Sequence, residues 1–116
     1  MSCAVTFTLN AGTRALECLR LPGDPTRPTL VLLHEGLGCV ALWRDFPQRL
    51  AAATGHPVFA YSRAGYGGSS PAPLPWPLDY MEREGRVGLP EALDAAALDD
   101  CVLFGHSDGA SIALVN

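Results

Sequence analysis

Lysine is absent from this sequence of 116 residues, and all eight basic residues are arginine. The net charge is −4, so the chain lacks the basic excess that nucleic acids and anionic membrane surfaces attract. No apolar run approaches the roughly 20 residues that a membrane-spanning helix needs. The first eight residues also lack the basic start and the long apolar stretch of a secretory signal. We therefore expect a cytoplasmic protein with no nucleic-acid partner and no membrane partner.

Cysteine and histidine are too scattered to predict a metal site or a disulfide. Cys3, Cys18, Cys39 and Cys101 form no C-x-x-C pair, and the three histidines do not recur at ligand spacing. We expect reduced thiols, no metal and no cofactor. The hydrophobic content of 48% and charged content of 17% predict a globular chain, and the length fits one domain over residues 1–116.

Five segments have the residue pattern of β-strands. Residues 5–9 and Arg14–Leu21 alternate apolar and polar side chains, which predicts an antiparallel hairpin. Residues Thr29–Leu33, 56–61 and 101–104 are mostly apolar, as in strands that are covered on both faces. Helical segments separate these three, so the order ββ-β-α-β-α-β-α predicts an α/β fold with a mostly parallel sheet.

Two segments between these strands have helical spacing. In residues 41–54 the apolar side chains recur on one face, and Pro47 is expected to kink the helix and Gly55 to end it. In residues 79–97 Asp79 is a candidate N-cap, whereas two glycines and a proline weaken the middle of the helix. Four prolines in the stretch before Asp79 predict an irregular surface segment.

The most informative motif is Gly105-His106-Ser107-Asp108-Gly109, which follows the last predicted strand and precedes a helix-like segment. A tight strand-to-helix turn exposes a serine hydroxyl and directs helix N–H groups toward a developing oxyanion. The turn crowds the residues two before and two after the serine, which accounts for Gly105 and Gly109. The motif predicts a nucleophile elbow with Ser107 as the catalytic residue. The alternative is a chance match in a chain rich in glycine and alanine.

Three motifs in this order resemble the α/β-hydrolase superfamily. They are His34-Glu35-Gly36-Leu37-Gly38 after the third strand, Ser62-Arg63-Ala64-Gly65-Tyr66-Gly67-Gly68-Ser69-Ser70 after the fourth, and the elbow after the fifth. The resemblance is greatest to small serine hydrolases that cleave esters, lactones and related acyl or C–C bonds. It implies an α/β-hydrolase-type, mostly parallel sheet with an N-terminal antiparallel hairpin, truncated after the nucleophile elbow. It also implies a small-molecule acyl substrate, and a serine elbow argues against the carboxylate chemistry of haloalkane dehalogenases and epoxide hydrolases.

The resemblance also assigns an oxyanion hole. One N–H would come from the loop after the third strand, from Gly36 or alternatively Leu37, and the other from Asp108, the residue after the nucleophile. Glu35 departs from the family's usual His-Gly, and a carboxylate there would repel an oxyanion unless it points away or has a partner. The resemblance implies that His34 braces the loop, while His106 is expected to pack or form hydrogen bonds on the other side of the elbow.

A serine needs a general base, oriented by an acid, to become an effective nucleophile. In the superfamily the acid and then the histidine follow the serine, so both would come after residue 116, and we expect this chain alone to be inactive or weakly active. The strand at 101–104 is expected at an unpaired sheet edge, which favours self-association or pairing with another chain. The alternative function is a noncatalytic, hydrolase-like interaction or scaffold module.

Overall fold

A five-stranded mixed sheet forms the centre of the computed structural model, which describes residues 5–36, 38–72 and 79–116. The strands lie in the order β1-β2-β4-β3-β5. In chain order they are β1 Val5–Ala11, β2 Arg14–Leu21, β3 Thr29–Leu33, β4 Val58–Tyr61 and β5 Cys101–Gly105. Each strand lies where the residue pattern predicts one.

The directions of the strands bring the three motifs together. β1 and β2 form the predicted antiparallel hairpin, and β2 joins the other strands by running antiparallel to β4. β3 lies between β4 and β5 and is parallel to both. Because the carboxyl ends of parallel strands meet at one edge of a sheet, the loops that follow β3, β4 and β5 lie side by side.

Helices cover both faces of this sheet. α1 (Phe46–Thr54) packs on one face, against an apolar cluster that includes Leu32 and Val58. α3 (Leu89–Ala95) and α4 (Asp108–Val115) pack on the other face, where Ile112 of α4 is fully buried. A short helix, α2 (Tyr80–Arg83), contacts α4. Within the described ranges, no helix is long and apolar enough to cross a membrane.

The first predicted helix is divided into two parts. A short 3₁₀ turn covers Val40–Trp43, and α1 begins only at Phe46 because Arg44 has a φ of 54°, outside the range of a right-handed helix. Pro47 therefore lies in the first turn of α1, where a missing N–H removes no helical hydrogen bond, and the predicted kink was wrong. Gly55 ends the helix as predicted, with a φ of 73°.

The second predicted helix is interrupted by a π-helical turn, Glu84–Gly88, between α2 and α3. A Cβ atom on Gly85 would lie 2.8 Å from the carbonyl oxygen of Ile112, so glycine there lets α4 approach closely. Asp79 makes no side-chain capping bond, and its carboxylate instead accepts a hydrogen bond from Arg83 at 3.0 Å. Asp79 nevertheless occupies the N-cap position of α2, as predicted. Most of the proline-rich segment, residues 73–78, lies outside the described residues.

β5 lies at an edge of the sheet, where the sequence led us to expect it, and pairs with β3 on one side. Val102 and Phe104 are 48% and 44% exposed along this edge. Both residues project from the same face of the strand because successive side chains alternate between faces. Among the described residues no strand pairs with the outer side of β5, where Val102 and Phe104 form an exposed apolar row.

Candidate functional site

The turn from β5 into α4 holds Ser107 in an unusual backbone conformation. Ser107 has a φ of 56° and a ψ of −115°, a region that residues with a side chain rarely adopt. The residue is exposed and immediately precedes Asp108, the first residue of α4. A strained serine between a strand and a helix is the geometry by which a nucleophile elbow presents its hydroxyl to substrate.

Close backbone contacts explain the two glycines of the elbow. A Cβ atom on Gly105 would lie 2.5 Å from the backbone of Ala110 in the first turn of α4. A Cβ atom on Gly109 would overlap the carbonyl group of Leu33 at the end of β3. The structure thus supports the sequence argument that these two positions must lack a side chain for the turn to close.

Gly36 and Asp108, two of the predicted oxyanion donors, lie near one another. A Cβ atom on Gly36 would lie 2.6 Å from a carboxylate oxygen of Asp108, so the loop after β3 touches the start of α4. The N–H of Asp108, at the first position of α4, has no acceptor one helical turn earlier within the helix. The alternative donor, Leu37, lies outside the described residues.

His34 has the bracing hydrogen bonds that the resemblance implied. Its Nε2 accepts a hydrogen bond from the backbone N–H of Arg63 at 3.0 Å, and its Nδ1 lies 2.6 Å from the carbonyl oxygen of Glu35. Both contacts are satisfied only when Nδ1 carries the proton and the ring is neutral. Burial, assisted by the Arg63 guanidinium, lowers the pKa of His34 from 6.5 to about 4.

Arg63 fixes the same loop from inside the protein, a role that the sequence reading missed. Its guanidinium is fully buried and donates to the carbonyl oxygens of His34 at 2.7 Å and Glu35 at 3.3 Å. It also donates to the hydroxyl of Tyr80 at 3.0 Å. An arginine two residues after an apolar strand was the available signal, because such a side chain must find several acceptors when it is buried.

A carboxylate on β2 ties two of the loops together and was also missed. The hydroxyl of Ser62 donates to Glu17 and accepts from the N–H of Val40, both at 2.8 Å. The N–H of Gly68 donates to the same carboxylate at 3.1 Å, and the N–H of Gly65 donates to the carbonyl of Ser70. Both N–H groups are thus used within the protein.

A small cavity of about 240 Å³ lies beside the elbow. Its lining includes Glu35, Trp43 and His106, and the Glu35 side chain is exposed. His106 is exposed as well, so the expectation that it packs against the far side of the elbow was wrong. A larger cavity of about 790 Å³, lined by residues such as Thr29 and Asp100, lies at the opposite ends of the strands and away from Ser107.

The element order and the elbow geometry match a known family. The model of the alpha/beta hydrolase family matches residues 30–115, which is most of the chain. The chain belongs to the alpha/beta hydrolase family. No curated protein matches it in sequence.

Solved structures share the fold at low sequence identity. A predicted CIB-like hydrolase from Thermoplasma acidophilum is 15% identical with a TM-score of 0.82, over 98% of this chain and 56% of that one. The 2-hydroxy-6-oxo-6-phenylhexa-2,4-dienoate hydrolase from Rhodococcus sp. strain RHA1 is 23% identical with a TM-score of 0.80, over 98% and 41% of the two chains. Epoxide hydrolase A from Mycobacterium thermoresistibile is 23% identical with a TM-score of 0.74, over 96% and 34%.

These likenesses establish the fold and do not select a reaction. The neighbours named above include hydrolases of different substrates, and one fold supports many chemistries. The chain spans 56% of the first of these structures and 34% of the third.

The environment of His34 predicts how stability depends on pH. The folded-state pKa of about 4 lies below the ordinary 6.5, so the unfolded chain takes up the proton first as the pH falls. His34 should lower the free energy of unfolding by about 2 kcal/mol between pH 7 and pH 5. Urea unfolding of the wild type and of His34→Gln, which cannot titrate, measures this difference. Equal slopes against pH in the two proteins would contradict the assignment.

Proposed function

We propose that this chain carries the nucleophile and the oxyanion donors of a serine hydrolase acting on a carboxylic ester, lactone or related acyl bond. The observation that carries the proposal is the strained, exposed conformation of Ser107 at the start of α4. A strained backbone conformation of this kind persists only when the surrounding contacts enforce it, and such residues cluster at functional sites. The close backbone contacts at Gly105 and Gly109 enforce the conformation of Ser107.

In the proposed reaction the Ser107 hydroxyl oxygen attacks the acyl carbon of the substrate, and a general base takes the hydroxyl proton. The negative charge that develops on the carbonyl oxygen is held by the N–H of Asp108 and by an N–H of the loop after β3, from Gly36 or Leu37. Each such donor contributes about 3 kcal/mol to transition-state stabilisation. The intermediate then expels the leaving group and leaves an acyl ester on Ser107, which water hydrolyses.

The general base is not supplied by the histidines near the elbow. Within residues 5–36, 38–72 and 79–116, no imidazole forms a hydrogen bond with the Ser107 hydroxyl. His34 is occupied by its contacts to Arg63 and Glu35. The oxyanion donors alone leave a residual rate on the order of 10³-fold over water, so we expect slow acylation without efficient turnover from these 116 residues.

Acylation by an activated p-nitrophenyl ester tests the nucleophile. We expect mass spectrometry of peptides to place the acyl group on Ser107, and the Ser107→Ala variant to lose the adduct. Ser111→Ala is the matched control, because Ser111 is an exposed serine one turn further along α4 and should not affect labelling.

Two outcomes of this experiment would contradict the proposal. One is an adduct that persists in Ser107→Ala, and the other is labelling of Ser111 at the same rate as Ser107. Either result would favour the alternative function, a noncatalytic module of the hydrolase fold that serves as an interaction or scaffold protein.

Replacing the Asp108 carboxylate is expected to raise the acylation rate of Ser107. Its carboxylate lies against Gly36, next to the proposed oxyanion donors, where a negative charge opposes the charge that develops in the transition state. Asp108→Asn keeps the backbone N–H and the side-chain shape, and should raise the acylation rate of Ser107 about tenfold. Asp94→Asn, on the exposed surface of α3, removes the same charge elsewhere and should leave the rate unchanged. A slower rate in Asp108→Asn would contradict the placement of the oxyanion.

A further inference from the structure

The loop after β3, residues 34–38, is bound on both sides to the loop after β4, residues 62–70. Before the proposed oxyanion donor Gly36, the N–H of Arg63 donates to Nε2 of His34 at 3.0 Å. After it, the N–H of Val40, the first residue of the 3₁₀ turn, donates to the hydroxyl of Ser62 at 2.8 Å. The segment that carries the oxyanion donor therefore lies between two hydrogen bonds to the same neighbouring loop.

The contact at Val40 restrains a part of the loop that the buried arginine does not bind. The guanidinium of Arg63 holds the start of the loop, at the carbonyl oxygens of residues 34 and 35. Gly36 and Gly38 follow, and a glycine backbone is displaced more easily than that of other residues. The bond from Val40 to Ser62 fixes the backbone directly beyond these two glycines.

The carboxylate of Glu17 in β2 sets the direction of the Ser62 hydroxyl. That hydroxyl donates its proton to Oε1 of Glu17 at 2.8 Å. An ionised carboxylate only accepts hydrogen bonds, so the Ser62 proton must point toward Glu17. The lone pairs of the hydroxyl are then left to accept the N–H of Val40. A continuous chain of hydrogen bonds thus runs from Val40 through Ser62 to Glu17.

The loop after β4 also encloses Glu17. The backbone N–H of Glu17 donates to the Ser69 hydroxyl, and its carbonyl accepts from the N–H of Ser62, both at 2.8 Å. The carboxylate accepts from the N–H of Gly68 at 3.1 Å. A Cβ atom on Gly67 would lie 2.5 Å from Oε1, so glycine leaves the room that the carboxylate occupies. The glycines and serines of this motif therefore hold the carboxylate in place beside Ser62.

We propose that Glu17 and Ser62 are positioning residues for the oxyanion hole. The carboxylate orients the Ser62 hydroxyl, and the hydroxyl sets the position of the loop after β3 through Val40. Neither side chain belongs to the lining of the cavity beside the elbow. A backbone donor stabilises an oxyanion only where its N–H meets the developing charge, and a small displacement caused from a distance lowers the rate. This inference rests on the proposed role of Ser107 as nucleophile.

The first test separates positioning from folding, by stopped-flow release of p-nitrophenol from an activated ester by the 116-residue chain. The amount released in the first turnover reports the fraction of folded chains, and the rate constant at saturating ester reports the oxyanion hole. Ser62→Ala should lower this rate constant about tenfold and leave the half-saturating ester concentration unchanged. Ser70→Ala is the matched control and should react at the wild-type rate. It removes one hydrogen bond between the same loop and β2, from the N–H of Ala15 at 2.9 Å.

The second test replaces the carboxylate. Glu17→Gln keeps an acceptor oxygen for the Ser62 hydroxyl and should retain the rate constant within about twofold. Glu17→Met fills a similar volume without an acceptor and should slow acylation as much as Ser62→Ala does. The double variant Glu17→Met/Ser62→Ala should be no slower than Ser62→Ala, because the two residues act through one chain of hydrogen bonds.

Hydrogen exchange at the Val40 amide, followed by nuclear magnetic resonance, reads the loop without catalysis. Protection should fall at least about tenfold in Ser62→Ala and in Glu17→Met, and persist in Glu17→Gln. Unchanged protection in Ser62→Ala would overturn the inference. So would an unchanged rate constant, with or without a smaller first turnover, in Ser62→Ala when Ser107 of the wild type is acylated. A wild type without an adduct on Ser107 would contradict the proposed function itself.

Discussion

The close approach of α4 to the carboxyl end of β3 is the constraint on which the candidate site depends. Gly109 brings its backbone against the carbonyl of Leu33, and Gly105 passes within a similar distance of Ala110. No side chain fits at either contact, and the chain between them must turn through Ser107 with a positive φ. The exposed hydroxyl is therefore a consequence of backbone packing between a helix and a sheet, with the Ser107 carbonyl accepting hydrogen bonds from the N–H groups of Ala110 and Ser111 in α4.

A buried charge organises the loop that faces the elbow. The guanidinium of Arg63 would be costly to bury alone, but the carbonyl oxygens of His34 and Glu35 and the Tyr80 hydroxyl accept its hydrogen bonds. The same cation helps to hold the pKa of His34 low, so the imidazole stays neutral and accepts the Arg63 backbone N–H. The Arg63 guanidinium thus favours the neutral form of His34, and the neutral imidazole accepts the hydrogen bond of the Arg63 backbone. These contacts hold the backbone of the loop at His34 and Glu35.

Local patterns in the sequence predicted the parts of this fold that are set by local chemistry. Alternating and apolar runs gave the five strands, and two glycines flanking Ser107 indicated the elbow, because each of these features has a short-range physical cause. The roles of Arg63 and Glu17 depend on partners from distant segments and could not be inferred from spacing. The π-helical turn Glu84–Gly88 lies close to α4 at Gly85, a tertiary contact that spacing in the sequence likewise does not show.

The fold holds Ser107 in a strained conformation, and the stability of Ser107→Gly measures that strain most directly. Glycine adopts a positive φ without strain, so this variant should exceed the wild type in free energy of unfolding by about 1 kcal/mol, after the greater entropy of the unfolded glycine is subtracted. Ser107→Ala retains a Cβ atom and should show no such gain. A Ser107→Gly protein that is less stable than both the wild type and Ser107→Ala in urea unfolding would contradict the account.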